Sequence, residues 1–140
     1  MKALTKNLML FAVFFFMGAI VFRYSLSDFI ESRSFNLIWL IAVIYFFFNF
    51  FIGWFFGKRD YESIPLNDIG FRFHFITYFL FNVVSVLWFS FGFNSHFESI
   101  RIVYITALFW GIGLLIHFIF YLIERKNSIN GLNKEDIFEW

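Results

Sequence analysis

Residues 71–93, FRFHFITYFLFNVVSVLWFSFGF, and residues 102–123, IVYITALFWGIGLLIHFIFYLI, decide how this chain folds. Each is close to the roughly 20 apolar residues that a helix needs to cross a bilayer. Only a short loop of polar and aromatic residues separates them, Asn94, Ser95, His96, Glu98 and Ser99 among them. Two helices joined so closely form an antiparallel hairpin. Inside the first stretch His74, Tyr78 and Asn82 recur every four residues, so they share a helix face with a drift of about 40° per step. Inside the second, Trp110, Gly113, His117 and Tyr121 also share a face. A turn centred near His96 brings His74 level with Phe118, next to His117. Two imidazoles, a phenol and an amide then fall in one layer.

Composition extends this reading to the whole chain. Of 140 residues 61% are apolar, 27 are Phe and only 15% are charged, against about 25% charged in soluble domains. A soluble fold this small could not cover so much phenylalanine. There is no cysteine, which excludes disulfide and thiol chemistry, and a net charge of +1 makes no case for a nucleic-acid partner.

Two further apolar runs precede the hairpin, Leu8–Phe22 and Phe35–Phe56. Lys2 and Lys6 before the first resemble the start of a secretory signal. No small-x-small cleavage site follows, so an uncleaved helix is expected, with Arg23 and Tyr24 at the far interface. Asn49 is the one amide in the aromatic centre of the second run, where it wants a packing partner. The expected fold is all-α: an integral membrane four-helix bundle of two antiparallel transmembrane hairpins, with helices near Leu4–Leu26, Phe35–Phe56, Phe71–Phe93 and Ile100–Ile123. Residues 1–68 make the N-terminal hairpin and its cytoplasmic connection, 69–126 the second hairpin and 127–140 a short cytoplasmic tail. Ser25–Ser34 and Gly57–Gly70 are expected as loops. Asn67 or Asp68 can cap the third helix, and Asn130-Gly131 signals a turn. A weak internal repeat aligns Phe22, Glu31 and Ser32 with Phe89, Glu98 and Ser99.

Several chemistries are excluded. The chain has no glycine-rich phosphate loop, no Ser/His/Asp spacing and no paired carboxylates inside an apolar run. Its acids fall in loops or at helix ends, which argues against intramembrane proteolysis and carboxylate-based pumping. No enzyme activity and no cofactor are expected. His117 lies about eight residues, or roughly 12 Å, inside Arg125, a costly place for a polar group. One reading is that neutral His117 hydrogen-bonds Tyr78, Asn82 or His74 and locks the hairpin, with Gly111 and Gly113 permitting close helix approach. A second is metal or haem ligation through His74 and His117. Its third ligand is indistinct and the outer-shell acceptor that metal histidines normally have cannot be identified. A third is proton sensing, since imidazole titrates near neutral pH. His74, Tyr78, Asn82 and His117 have no polar counterparts in the first half, so any chemistry is expected in the second hairpin. His96 is expected to be solvated, and Trp39, Trp54 and Trp88 to anchor helices at the interfaces.

The joint pattern H-x-x-x-Y-x-x-x-N, a loop, then W-G-x-G-x-x-x-H resembles the bacterial two-transmembrane-helix (2TM) domain family. Here it is His74, Tyr78, Asn82, then Trp110, Gly111, Gly113 and His117, within residues 69–123. The resemblance implies a membrane part that stands alone or is joined to signalling modules, with no established activity. The expected function is a small, non-enzymatic inner-membrane module whose partners are the lipid bilayer, other membrane proteins or a second copy of itself. Two alternatives stand beside it: a histidine-based metal- or haem-binding redox or sensor protein, and a small oligomeric channel lined by the polar face of the third helix.

Basic residues set the expected orientation. Lys2, Lys6, Lys58, Arg59, Arg72, Arg125, Lys126 and Lys134 lie on one side, and Arg23, Arg33 and Arg101 on the other. Eight against three places both termini in the cytoplasm. A reporter fused to the C-terminus is therefore expected to be active only in its cytoplasmic form; activity confined to the periplasm would reverse the assignment.

Overall fold

The structure is a computed structural model that describes residues 5–63 and 69–130. Four helices account for most of them: α1 (Lys6–Glu31), α2 (Phe35–Ser63), α3 (Ile69–Ser90) and α4 (Ile100–Asn130). Each is long and apolar enough to cross a membrane, and the described residues contain no strand. In hydrocarbon every backbone amide must be satisfied within the protein, and a helix does this inside a single segment. The expected all-α bundle of two antiparallel hairpins is the fold.

The central element is α1, which packs against both α2 and α3. Thr5 caps it: its side-chain oxygen accepts from the Leu8 amide at 3.0 Å, while its hydroxyl donates to Asp60 near the far end of α2. Asn7 Nδ2 donates to the same carboxylate at 2.9 Å, so the buried Asp60 ties two helix ends together. The buried face of α1 runs Leu8, Phe11, Phe15, Ala19, Arg23 and Ser27. Steps of three and four residues keep these positions on one stripe. Its apolar half makes the core with Phe56, Phe73 and Val84, and Phe11 meets the Phe73 ring at 4.7 Å between centroids. Against α2, Tyr45 stacks on Phe22 at 4.3 Å, and Gly18 faces Phe48 so closely that a Cβ would lie 2.5 Å from the ring edge.

Both hairpins turn by the same device. After α1 the Arg33 amide donates to Ile30 O and Ser34 to Phe29 O; after α3 Gly92 donates to Phe89 O and Phe93 to Trp88 O. This paired closure needs one residue in the left-handed region, and Arg33 (φ 54°) and Gly92 (φ 72°) occupy it. The equivalent points are thus residues 33 and 92. The expected repeat, which paired Glu31 with Glu98, is out of step with them: Glu31 ends α1, whereas Glu98 lies in the loop before α4.

Helix limits differ from expectation where polar residues continue a helix. Arg23, Ser27 and Glu31 fall four apart on one face, so α1 runs through most of the expected Ser25–Ser34 loop. α2 continues past Gly57 to Ser63 and α4 past Ile123 to Asn130, while α3 starts two residues early and ends at Ser90. Hydropathy marks the apolar stretch and not the helix end, because a helix leaving hydrocarbon keeps its own hydrogen bonds. The expected caps Asn67 and Asp68, and Gly131 of the expected turn, lie outside the described residues.

α4 stands at the edge. Along the described residues it packs on α3 and makes no close backbone approach to α1 or α2. The packed unit is therefore α1–α2–α3, and its centre is Phe15, 1% exposed. Truncating Phe15 to Ala removes those ring contacts. Since lipid is as apolar as the core, the expected cost is at the lower end of the Phe→Ala range, about 3 kcal/mol. Phe47→Ala, on an exposed face, is expected to change stability by less than about 0.5 kcal/mol. Equilibrium unfolding in detergent micelles checks both; equal losses would place the core elsewhere.

Candidate functional site

The first candidate is the layer between α3 and α4. Tyr78 reaches across and donates to the Ala107 carbonyl at 3.2 Å, and its ring meets Trp110 edge-on at 5.8 Å. Gly111 makes room for it, since a Cβ there would lie 3.1 Å from the Tyr78 oxygen. Asn82 does not cross: its Nδ2 donates to the Tyr78 carbonyl of its own helix at 2.7 Å. His74 and His117 come together with ring centroids 5.4 Å apart, and His117 stacks on Phe71 at 6.3 Å and 11°. Phe71 in turn stacks on Tyr121 at 5.8 Å. His117 thus joins the layer through ring faces, and both imidazoles are exposed at the bundle surface. Gly113 departs from its expected role, because a Cβ there would meet open space.

As a metal centre this layer offers two imidazoles. No group of three or more His, Cys, Asp or Glu that could hold an ion exists among the described residues. Among the described residues this layer shows ring packing and the interhelical hydrogen bond of Tyr78.

The second candidate lies at the opposite end, on α1. Arg23 does not project from the bundle: it is 5% exposed, eight residues, roughly 12 Å, before the end of α1. Buried polar groups are also found outside the second hairpin: those described are Arg23, Ser27, Asp60, Ser85 and Ser95. Arg23 Nη1 pairs with Glu98 Oε1 at 3.4 Å, both side chains being buried. Its guanidinium also lies over the Phe89 ring, 5.4 Å from the centroid. Glu98 Oε2 accepts from Ser27 Oγ at 2.7 Å and from the Ser95 amide at 2.9 Å, and Trp88 Nε1 donates to Ser27 Oγ at 2.9 Å. Beside it Glu31 Oε2 accepts from Ser95 Oγ at 2.6 Å and from the His96 amide at 2.9 Å. Trp88 is therefore a hydrogen-bonded member of this network, not a simple interfacial anchor.

Charge explains the arrangement. An arginine keeps its proton, and an unpaired cation in an apolar interior is strongly unfavourable. The α3–α4 loop folds inward and supplies the counter-charge. The sequence carried a signal for this cluster: Arg23, Ser27 and Glu31 at i, i+4 and i+8 form a polar stripe that continues the apolar stripe of α1. Their partner Glu98 is too remote along the chain to be found by spacing.

No protein-family model, curated protein or solved structure matches this chain.

Removing one member of a buried pair leaves the other uncompensated. Glu98→Gln is expected to destabilise the protein by about 3–5 kcal/mol. Adding Arg23→Met should recover much of that loss, because no charge then remains to bury. Tyr78→Phe should cost about 1 kcal/mol or less, one interhelical bond. Unfolding measurements on these three variants and on Arg23→Met alone form the check; strictly additive losses at Arg23 and Glu98 would mean that the two are not coupled.

Proposed function

We propose that this chain is a non-enzymatic membrane module, set in a bacterial inner membrane with both termini cytoplasmic, that associates with other membrane or signalling proteins through α4. The observation that carries the reading is the position of α4. It packs on α3 alone among the described helices, and the rest of its surface is open. That open surface includes Gly113, where a neighbouring helix could approach closely, and the exposed rim of His117. The resemblance of residues 69–123 to a membrane module joined to signalling proteins points the same way.

The test places a photo-crosslinking residue at Ile112 or Ile116 on α4, and at Phe47 on α2 as a reference, in the protein expressed in bacterial membranes. Protein adducts are expected from α4 and lipid adducts alone from α2. Lipid adducts alone from both helices would remove the basis for the proposal.

The meeting of His74 and His117 supports a second reading, a two-imidazole metal site. Under the leading reading His117→Phe keeps the stack on Phe71, so the melting temperature should stay within a few degrees of wild type, a change of no more than about 1 kcal/mol. Chelator should not move it. A wild-type melting temperature that drops with chelator, and a His117→Phe variant indifferent to it, would favour the metal site.

A further inference from the structure

The free edge of Arg23 carries the next step. Glu98 engages Nη1, while Nε and Nη2 have no hydrogen-bond partner among the described residues. Those two N–H groups form the forked side of the guanidinium, the side suited to a bidentate acceptor. Three other buried polar atoms also lack partners: Ser85 Oγ on α3, and Tyr45 Oη and Asn49 Oδ1 on α2. Ser85 is 1% exposed. Buried polar atoms in folded proteins are paired with protein or with ordered water, and here five fall in one half of one bundle.

Their heights agree. α1 and α3 run parallel, and Ser27 meets Trp88. One turn further in, Arg23 and Ser85 are level to within about one residue rise, 1.5 Å. Tyr45 stacks on Phe22, the neighbour of Arg23, and Asn49 follows one turn deeper, its Nδ2 occupied by the Tyr45 carbonyl. Below Tyr45 the interior closes: its ring meets Phe15 at 6.2 Å, and Phe11, Phe56 and Phe73 follow, all buried. Above Arg23 lie Ser27 and the side chain of Glu98, hydrogen-bonded to each other. A cleft of about 330 Å³ lies between the end of α1 and the α3–α4 loop, and Ser27, Trp88 and Ser95 line it.

We propose that this half of the bundle is a one-sided aqueous vestibule: water enters at the loop-end cleft, binds the free fork of Arg23, Ser85 and the Tyr45 hydroxyl, and stops at Phe15. The hydrogen-bond senses are complementary. Arg23 offers only donors and Asn49 only its acceptor, while the two hydroxyls between can do either. A water that accepts from the fork still has two hydrogens to give, and a buried water typically makes two to four such bonds. Charge balance selects water over an anion. Glu98 already neutralises Arg23, so an added anion would leave a net negative charge in a buried site, which is strongly unfavourable.

Water-edited solid-state NMR on the full chain in lipid bilayers tests this, with Phe15 and the lipid-facing Phe47 as dry references. Early magnetisation transfer from water to Arg23 Nε and Ser85 Cβ is expected, followed by Tyr45 and Asn49, with no early transfer to Phe15. Arg23 and Ser85 building up as slowly as Phe15 would overturn the proposal, and so would Asn49 hydrating before Arg23. Repeating the spectra over a chloride titration decides between ligands: the Arg23 Nε shift should stay constant, and a saturable shift would show an anion site instead.

Discussion

A guanidinium held inside a bundle of lipid-spanning helices must be neutralised where it lies. That requirement organises the loop end of this protein. The counter-charge comes from a loop seventy-odd residues further along the chain, and the loop has to fold inward to deliver it. Glu98 and Glu31 then hold Ser95 between them, and Ser27 links Glu98 to Trp88. These bonds join the two hairpins. Without them α1 and α3 would be held by ring and aliphatic packing, which is largely indifferent to register because lipid competes on equal terms with apolar side chains.

Most other polar side chains in the helices solve the problem locally. Asn49, Thr77, Asn82 and Ser90 each donate to the carbonyl four residues back in their own helix. Such back-bonding satisfies the donor without help from a neighbour. A polar residue in a membrane helix is therefore not always glue between helices. Among the described residues Tyr78, long enough to cross and faced by a glycine, reaches a backbone carbonyl of the next helix. Among the described contacts, the α3–α4 hairpin is held by this polar bond, by Phe71 stacked on His117 and Tyr121, and by Tyr78 edge-on to Trp110.

These two centres sit at opposite ends of α3, and they differ in kind. The loop-end cluster is charged, buried and tied to three parts of the chain, the residue pattern of a fixed point. The histidine end is exposed and held by ring faces, on a helix with much of its surface open.

How much of this was legible beforehand follows from the range of the interactions. Four spans, their pairing into hairpins and the meeting of His74 with His117 depend on local hydropathy, short loops and the fixed rise of a helix. All three are properties of consecutive residues, so the sequence alone determined them. Gly111 was legible as a point of close helix approach, but its partner Tyr78 was not, since Tyr78 was expected to pair with His117 and instead donates to the Ala107 carbonyl. Helix ends were not, because polar residues such as Ser27 and Glu31 extend a helix when a partner awaits them. The burial of Arg23, the outward turn of Gly113 and the edge position of α4 were decided by tertiary structure. Each depends on which helix lies beside which, and in a chain with 27 phenylalanines apolar surface is too uniform to specify that. The choice fell to a few long-range polar contacts, Arg23 with Glu98 and Asp60 with Thr5 and Asn7, whose partners are distant in sequence and adjacent only after folding.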